Sequence, residues 1–214
     1  MNLRASANFL LRGLFVLALL GGWLFQPAGV VLAAGPWYVR TDGNDTECTG
    51  LTNAAYPGGT GPLPCAYNTI TQAVTSASAG DVIYIGAGTF DETPIIGKAL
   101  ILDGAGAGVT YLQPTSGTNI LTISVGDVTI RDLTLDGGAG VTGSGIVDGA
   151  ALLQTGIVIE DCEIGYLPSH GISFTNISFT ANRNYIANNT LSGINSTGGG
   201  TVVLYRNTIQ VNGA

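Results

Sequence analysis

VTIRDLTL (Val128–Leu135), IVIEDCEI (Ile157–Ile164), FTANRNYI (Phe179–Ile186) and VVLYRNTI (Val202–Ile209) are four copies of one eight-residue pattern. Its first, third, sixth and eighth positions are mostly apolar, and its fourth and fifth are polar. The copies begin 29, 22 and 23 residues apart, the spacing of a solenoid whose turns each add one similar set of short strands. Positions one and three alternate with position two, so each copy opens as a short strand with one face toward a core, and positions six and eight repeat this. The phase slips between the two halves, so the chain must bend at positions four and five. Those positions hold Arg131-Asp132, Glu160-Asp161, Asn182-Arg183 and Tyr205-Arg206, mostly residues suited to a solvated turn. One octad is strand, corner, strand, with positions two and seven facing water.

A third strand per turn precedes each octad, in NILTI (119–123), GIVDGAALLQ (145–154), GISFT (171–175) and GINST (193–197). Three strands closed into a turn make one coil, and parallel crossovers are overwhelmingly right-handed. Stacked at about 4.8 Å, roughly five coils make a rod of about 24 Å. The expected fold is all-β, a right-handed single-stranded parallel β-helix. Composition agrees: glycine supplies 33 of 214 residues and charged residues only 10%, as tight corners between half-buried strands require. Helical spacing is confined to Thr69–Ser78, with Asn68 as the expected N-cap, and such a helix would cover the open edges of the first coil.

The segment from Asn68 to Gly106, NTITQAVTSASAGDVIYIGAGTFDETPIIGKALILDGAG, resembles the start of the right-handed parallel β-helix proteins of the pectin-lyase-like superfamily. The matching phrases are Gly80-Asp81, Ile83, Ile85, Gly88, Phe90, Glu92, then Lys98, Leu100, Leu102 and Gly104. The resemblance implies the fold and an N-terminal position within it. It does not select an activity, since lyases, hydrolases, esterases, epimerases and non-enzymatic surface proteins share the architecture.

Arg4 and Arg12 precede an apolar run, Gly13–Phe25, and a small-residue stretch ending at Ala33-Ala34. This reads as a secretory signal peptide over residues 1–33, too short for an ordinary membrane span. The remaining chain divides into a loop segment, 34–67, and the helix plus β-helix, 68–214. After removal of the leader, five basic residues face fourteen acidic ones, a net charge of −9. That balance argues against nucleic acid and anionic lipid as partners, disfavours polyanionic sugars unless calcium or an arginine cluster intervenes, and fits neutral polysaccharide or no ligand. The expected partner class is polysaccharide or a cell-surface partner. Export into an oxidising compartment makes Cys48 and Cys65 an expected disulfide across a Gly/Pro-rich loop. Cys162, at inward octad position six, reads as a buried structural thiol. Asn184 and Asn207 occupy the same position and read as a hydrogen-bonding ladder along the rod.

Candidate chemistry is sparse. In stacked octads Asp132, Asp161, Arg183 and Arg206 share one corner, with Arg131 beside Glu160. Asp132 and Asp161 are candidate calcium ligands and, with Arg183, candidate catalytic groups of a calcium-dependent lyase. A solvated ladder of ion pairs explains the same residues and is the favoured reading. His170, the only histidine, is a further catalytic candidate, weighed against an exposed turn residue. No cofactor other than that conditional calcium is evident. Asn44, Asn176, Asn188 and Asn195 begin Asn-x-Ser/Thr triplets to which no function is assigned. The last octad is followed by only five residues, leading to the expectation that further coils or a partner chain cover the open end. The reading as a whole is a secreted, non-catalytic binding or structural rod associated with carbohydrate or a surface. The alternative is a polysaccharide lyase or glycoside hydrolase whose site lies in loops or in missing coils.

Overall fold

The computed structural model describes residues 35–138, 140–149 and 153–213. The leader read over residues 1–33 lies outside them. The described residues form three parallel sheets. A seven-stranded sheet contains β1 (Trp37–Val39), β2 (Val82–Ile85), β5 (Ile101–Gly104), β8 (Thr129–Arg131), β11 (Gln154–Glu160), β14 (Ile177–Asn182) and β17 (Val202–Tyr205). A six-stranded sheet contains β3 (Gly88–Phe90), β6 (Thr110–Leu112), β9 (Thr134–Asp136), β12 (Glu163–Gly165), β15 (Tyr185–Ala187) and β18 (Thr208–Gln210). A five-stranded sheet contains β4 (Ile95–Ile96), β7 (Leu121–Ile123), β10 (Ile146–Asp148), β13 (Ile172–Thr175) and β16 (Ile194–Thr197). Each strand pairs with its equivalents in the neighbouring coils, which is a parallel solenoid.

The octad's period sets the core. Leu102, Ile130, Ile159 and Ala181 stand in register on the seven-stranded sheet, and Leu112, Leu135, Ile164 and Ile186 on the six-stranded one. Leu121, Ile146 and Ile172 form the third column. All are fully buried. Leu204 and Ile209 continue the first two columns on β17 and β18 and are 51% and 42% exposed. Position seven departs from expectation once: Thr134 is buried, and its hydroxyl accepts a hydrogen bond from the Gly108 amide at 2.8 Å.

The bend at positions four and five has a defined backbone cause. Position five is left-handed in every copy, with φ of 56° at Asp132, 53° at Asp161, 54° at Arg183 and 55° at Arg206. One left-handed residue between two extended ones turns the strand through the corner, a conformation that usually costs a non-glycine residue energy. The corner is tight, since a Cβ on Gly104 would collide with the Asp132 carbonyl of the next coil. Beneath the last two of these corners the ladder is present, in Asn184 and Asn207. Asn184 accepts from the Cys162 amide at 3.0 Å and donates to Ile159 O at 2.8 Å and to Asn207 Oδ1 at 3.0 Å. Asn207 repeats this, accepting from the Asn184 amide at 2.9 Å and donating to Ala181 O at 2.7 Å. Cys162 is buried and free, and burial pushes its thiol up to about 12, so it is a poor nucleophile at neutral pH.

The single helix among the described residues, α1 (Ile70–Ser76), buries Ile70, Ala73 and Val74. Its N-cap is Thr69 rather than Asn68: the Thr69 hydroxyl accepts from the Gln72 amide. Asn68 is instead drawn into the N-terminal loop, donating to Thr41 O at 2.9 Å. Two of the three charged motif residues of the 68–106 segment, Glu92 and Lys98, hold the helix ends. Glu92 accepts from the Ile70 and Thr71 amides at 2.6 and 2.9 Å, and Lys98 donates to the carbonyls of Val74, Thr75 and Ala77. Each charge has the sign that the adjacent helix end favours. Buried Asp81 accepts from the Trp37 indole and the Ser78 amide, both at 2.8 Å.

Cys48 and Cys65 are bonded, 17 residues apart, and pin the N-terminal loop beside β1. Closing a loop of that size is worth about 3 kcal/mol through the unfolded state. Reduction of the intact protein by a thiol reductant is therefore expected to lower its melting temperature and to add the mass of two hydrogen atoms, one on each sulfur. Unchanged melting in reductant would contradict a stabilising role.

Candidate functional site

The structure gathers only part of the sequence-derived set. Asp132, Asp161 and Arg183 lie on one corner, between the seven- and six-stranded sheets. His170 lies on the next, between the six- and five-stranded sheets, where its Nδ1 accepts from the Ser192 amide at 3.2 Å. On the first corner Arg183 grips Asp161 with two nitrogens, Nε at 2.7 Å, and reaches Glu160 at 3.3 Å. This bond holds the Asp161 carboxyl below the usual carboxylate range. Arg131 stands in register with Glu160 but pairs with Asp103 at 2.6 Å. Asp132 has no ion pair among the described residues. Burial, then the nearby charges of Asp103 and Asp161, raise its pKa. No group of three or more metal-ligating side chains occurs among the described residues.

These opposite shifts have opposite consequences for stability. A raised carboxyl such as Asp132 costs nothing below its unfolded pKa of about 3.9, and its penalty grows as pH rises above that value through the folded one. Asp161 works in reverse, since its contribution is present above about 3.9 and is lost as pH falls through its lower folded pKa. Asparagine tolerates the left-handed conformation. Asp132→Asn is therefore expected to melt higher than the wild type near neutral pH, with the gap closing toward about pH 3. Asp161→Asn should melt lower near neutral pH, its gap closing as pH falls. Equal shifts at both pH values would contradict these assignments.

The outer face of the five-stranded sheet carries Ile95, Thr122, Val147, Ser173 and Asn195 in register, a column without a titratable group. The six-stranded sheet differs. Its outward column runs Tyr111, Thr134, Glu163, Tyr185, Thr208, and beside it lie Asp136, Gly165 and Ala187 in register. The small residues at Gly165 and Ala187 leave a depression between taller neighbours. The resulting cavity, about 180 Å³, is lined by Tyr111, Asp136, Glu163, Gly165, Tyr166, Tyr185 and adjoining residues. Tyr111 and Tyr185 are three strand spacings apart, about 14 Å. Tyr166 and Tyr185 are 59% and 39% exposed, so their rings are available to a ligand.

The polar groups are positioned. Asp136 accepts from Gln113 Nε2 at 3.0 Å and from the Gly138 amide at 2.9 Å. The Tyr185 hydroxyl accepts from Gln210 Nε2 at 2.8 Å. Glu163 is half-buried and makes no side-chain hydrogen bond among the described residues. The cavity thus offers aromatic faces, one oriented carboxylate and one available carboxylate, a set suited to packing against the C–H face of a sugar and accepting from its hydroxyls. Tyr185, at octad position seven, was legible as outward-facing. Tyr111, Asp136 and Glu163 were not singled out, because their convergence depends on the register between coils.

No protein-family model matches the sequence, and no curated protein matches it. Among solved structures, the chain is similar to pectin methylesterase in complex with hexasaccharide VII, at TM-score 0.54 and 18% identity over 80% of this chain and 54% of that one. A pectin methylesterase variant with hexasaccharide IV aligns at TM-score 0.56 and 18% identity, with the same coverage. The A-module of the Azotobacter vinelandii mannuronan C-5 epimerase AlgE4 aligns at TM-score 0.52 and 19% identity over 66% of this chain and 45% of that one. The chain spans about half the length of these structures. Stacked parallel coils with this likeness give the chain the pectin-lyase-like parallel β-helix fold.

Proposed function

We propose that this protein is an exported, carbohydrate-associated β-helix whose six-stranded sheet binds a neutral glycan, acting as a non-catalytic rod. The observation that carries the reading is the groove bounded by Tyr111 and Tyr185, edged by Tyr166 and floored by Gly165 and Ala187. Support comes from structural neighbours solved with hexasaccharides. The Cys48–Cys65 bond fits an oxidising compartment, and among the described residues no helix is long and apolar enough to cross a membrane. The strongly acidic composition disfavours a polyanionic ligand. In this reading α1 covers the first coil.

Tyr185→Ala is expected to weaken binding of a neutral hexasaccharide such as cellohexaose or mannohexaose at least tenfold, about 1.4 kcal/mol, by calorimetric titration, with melting little changed. Undiminished affinity would remove the groove from the account. A second reading, a lyase or hydrolase, is favoured by one observation, that Asp136 and Glu163 share the cavity. It requires release of oligosaccharides, with or without calcium, that Glu163→Gln abolishes.

A further inference from the structure

On the outer face of the seven-stranded sheet, Tyr38, Tyr84, Asp103 and Arg131 stand in register on four successive strands. The two tyrosines stack, with centroids 5.5 Å apart and planes inclined by 23°, and Tyr84 is 40% exposed. Asp103 is too short to continue the stack, and Gly104 and Ala105 follow it. The surface therefore steps down past the Tyr84 ring into an open notch of about 390 Å³, lined by Tyr38, Asn53, Tyr84, Asp103, Gly104 and neighbours. Neither tyrosine points into the core; the two rings stack on the outer face, across β1 and β2.

The charges around the notch cancel in pairs. Asp103 is matched by Arg131 at 2.6 Å, and Arg40 at the rim is matched by Asp42 at 2.7 Å. An ionic ligand would gain no unpaired partner there and would lose hydration on entering. Neutral polar recognition remains open. Asn53 Oδ1 accepts from Arg40 at 3.4 Å, while its Nδ2 donors have no partner among the described residues. The second Asp103 carboxylate oxygen is similarly available as an acceptor. A stacked aromatic face, an amide donor and an acceptor in a shallow, charge-balanced notch match a pyranose ring, which has one C–H face and a rim of hydroxyls.

We propose that this notch is a second glycan-binding site, taking a short neutral glycan against the Tyr38–Tyr84 stack. It shares no residue with the groove of the six-stranded sheet and stands independently of it. Because the two sites face outward from different sheets, one rod would hold two glycan strands. A multivalent polymer would then be retained more strongly than an oligomer.

The test is calorimetric titration of the full protein and its Tyr84→Ala and Tyr185→Ala variants with cellohexaose, mannohexaose, xylohexaose and, as the charged arm, hexagalacturonate. Melting curves confirm that each variant is folded, and Tyr84→Trp serves as the variant that keeps an aromatic face. The expected result is that Tyr84→Ala loses about tenfold in affinity for one binding event. Tyr84→Trp should retain that event, and Tyr185→Ala should leave it untouched. Binding that Tyr84→Ala leaves intact overturns the proposal while sparing the groove. Loss in Tyr84→Ala with no effect of Tyr185→Ala upholds it and removes the groove instead. Preference for hexagalacturonate, binding of none of the probes, or a self-association of the wild type that Tyr84→Ala abolishes would each overturn it, the last because a second copy would then occupy the notch.

Discussion

Phe174→Ala is expected to lower the free energy of unfolding by about 3–5 kcal/mol, a large share of the 5–15 kcal/mol typical of a domain. Phe174 faces inward on β13, is 1% exposed and meets Phe179 edge-to-face, with centroids 5.0 Å apart and planes at 80°. Its ring bridges the five- and seven-stranded sheets within one coil, so its removal leaves a void that stacked strands cannot close by sliding. Each coil packs only on its neighbours, and the damage should concentrate in β13 and β14 and their partners. Urea denaturation gives the size, and amide exchange gives the place. Val203→Ala, at an outward position 49% exposed, is the control and should change stability by less than about 0.5 kcal/mol. Similar losses in both variants would contradict the inward assignment of Phe174.

Asn184→Ala is expected to cost about 2–4 kcal/mol, through lost polar pairing rather than lost volume. Asn184 is 2% exposed and serves three partners. Without it the Cys162 amide loses its acceptor, Ile159 O loses a donor, and Asn207 loses its neighbour in the ladder. Asn184→Asp separates this explanation from simple packing. Aspartate keeps the volume and the acceptor facing the Cys162 amide, yet it sets a charged oxygen toward Ile159 O and Asn207 Oδ1. That carboxyl would have a raised pKa in the folded protein, so the destabilisation should be full near neutral pH and should shrink as pH falls toward the unfolded value of about 3.9. An Asn184→Asp protein as stable as the wild type near neutral pH would refute the ladder.

Much of this architecture was readable from residues alone because the solenoid repeats its instructions. Ile130, Ile159 and Ala181 sit at the same octad position and become the same column, and the phase slip between positions three and six became a left-handed residue at position five. The 68–106 segment was legible for a related reason: Glu92 and Lys98 appear as motif residues because they hold the two ends of α1. The Asn68 expectation failed by one residue. Both Asn68 and Thr69 can cap a helix, and the choice was made by Thr41, which takes the Asn68 amide through its carbonyl.

The second ladder went unread although its signal was present. Asn189 and Asn212 follow Asn184 and Asn207 by five residues, and each supports the coil beside it. Asn189 accepts from Leu167 N at 3.3 Å, and Asn212 Oδ1 accepts from Asn189 N at 3.0 Å. They fall just past the octad, so a pattern bounded at eight residues excluded them. The groove escaped for a deeper reason. Tyr111 precedes the first octad, Asp136 follows it, and Glu163 belongs to the second, so no linear pattern unites them. Only the pairing Tyr111–Thr134–Glu163–Tyr185 across β6, β9, β12 and β15 brings them onto one face. Function on a solenoid is written across coils, whereas the sequence repeat is written along them.

The most direct test of glycan binding in that groove is a nuclear magnetic resonance titration of isotope-labelled protein with cellohexaose or mannohexaose, followed residue by residue. The groove reading requires saturable shifts at Tyr111, Thr134, Glu163, Tyr166 and Tyr185, on strands contributed by four successive coils, besides any at Tyr38 and Tyr84. Saturable binding whose shifts leave those five residues unmoved, or the absence of binding to either glycan, would contradict it.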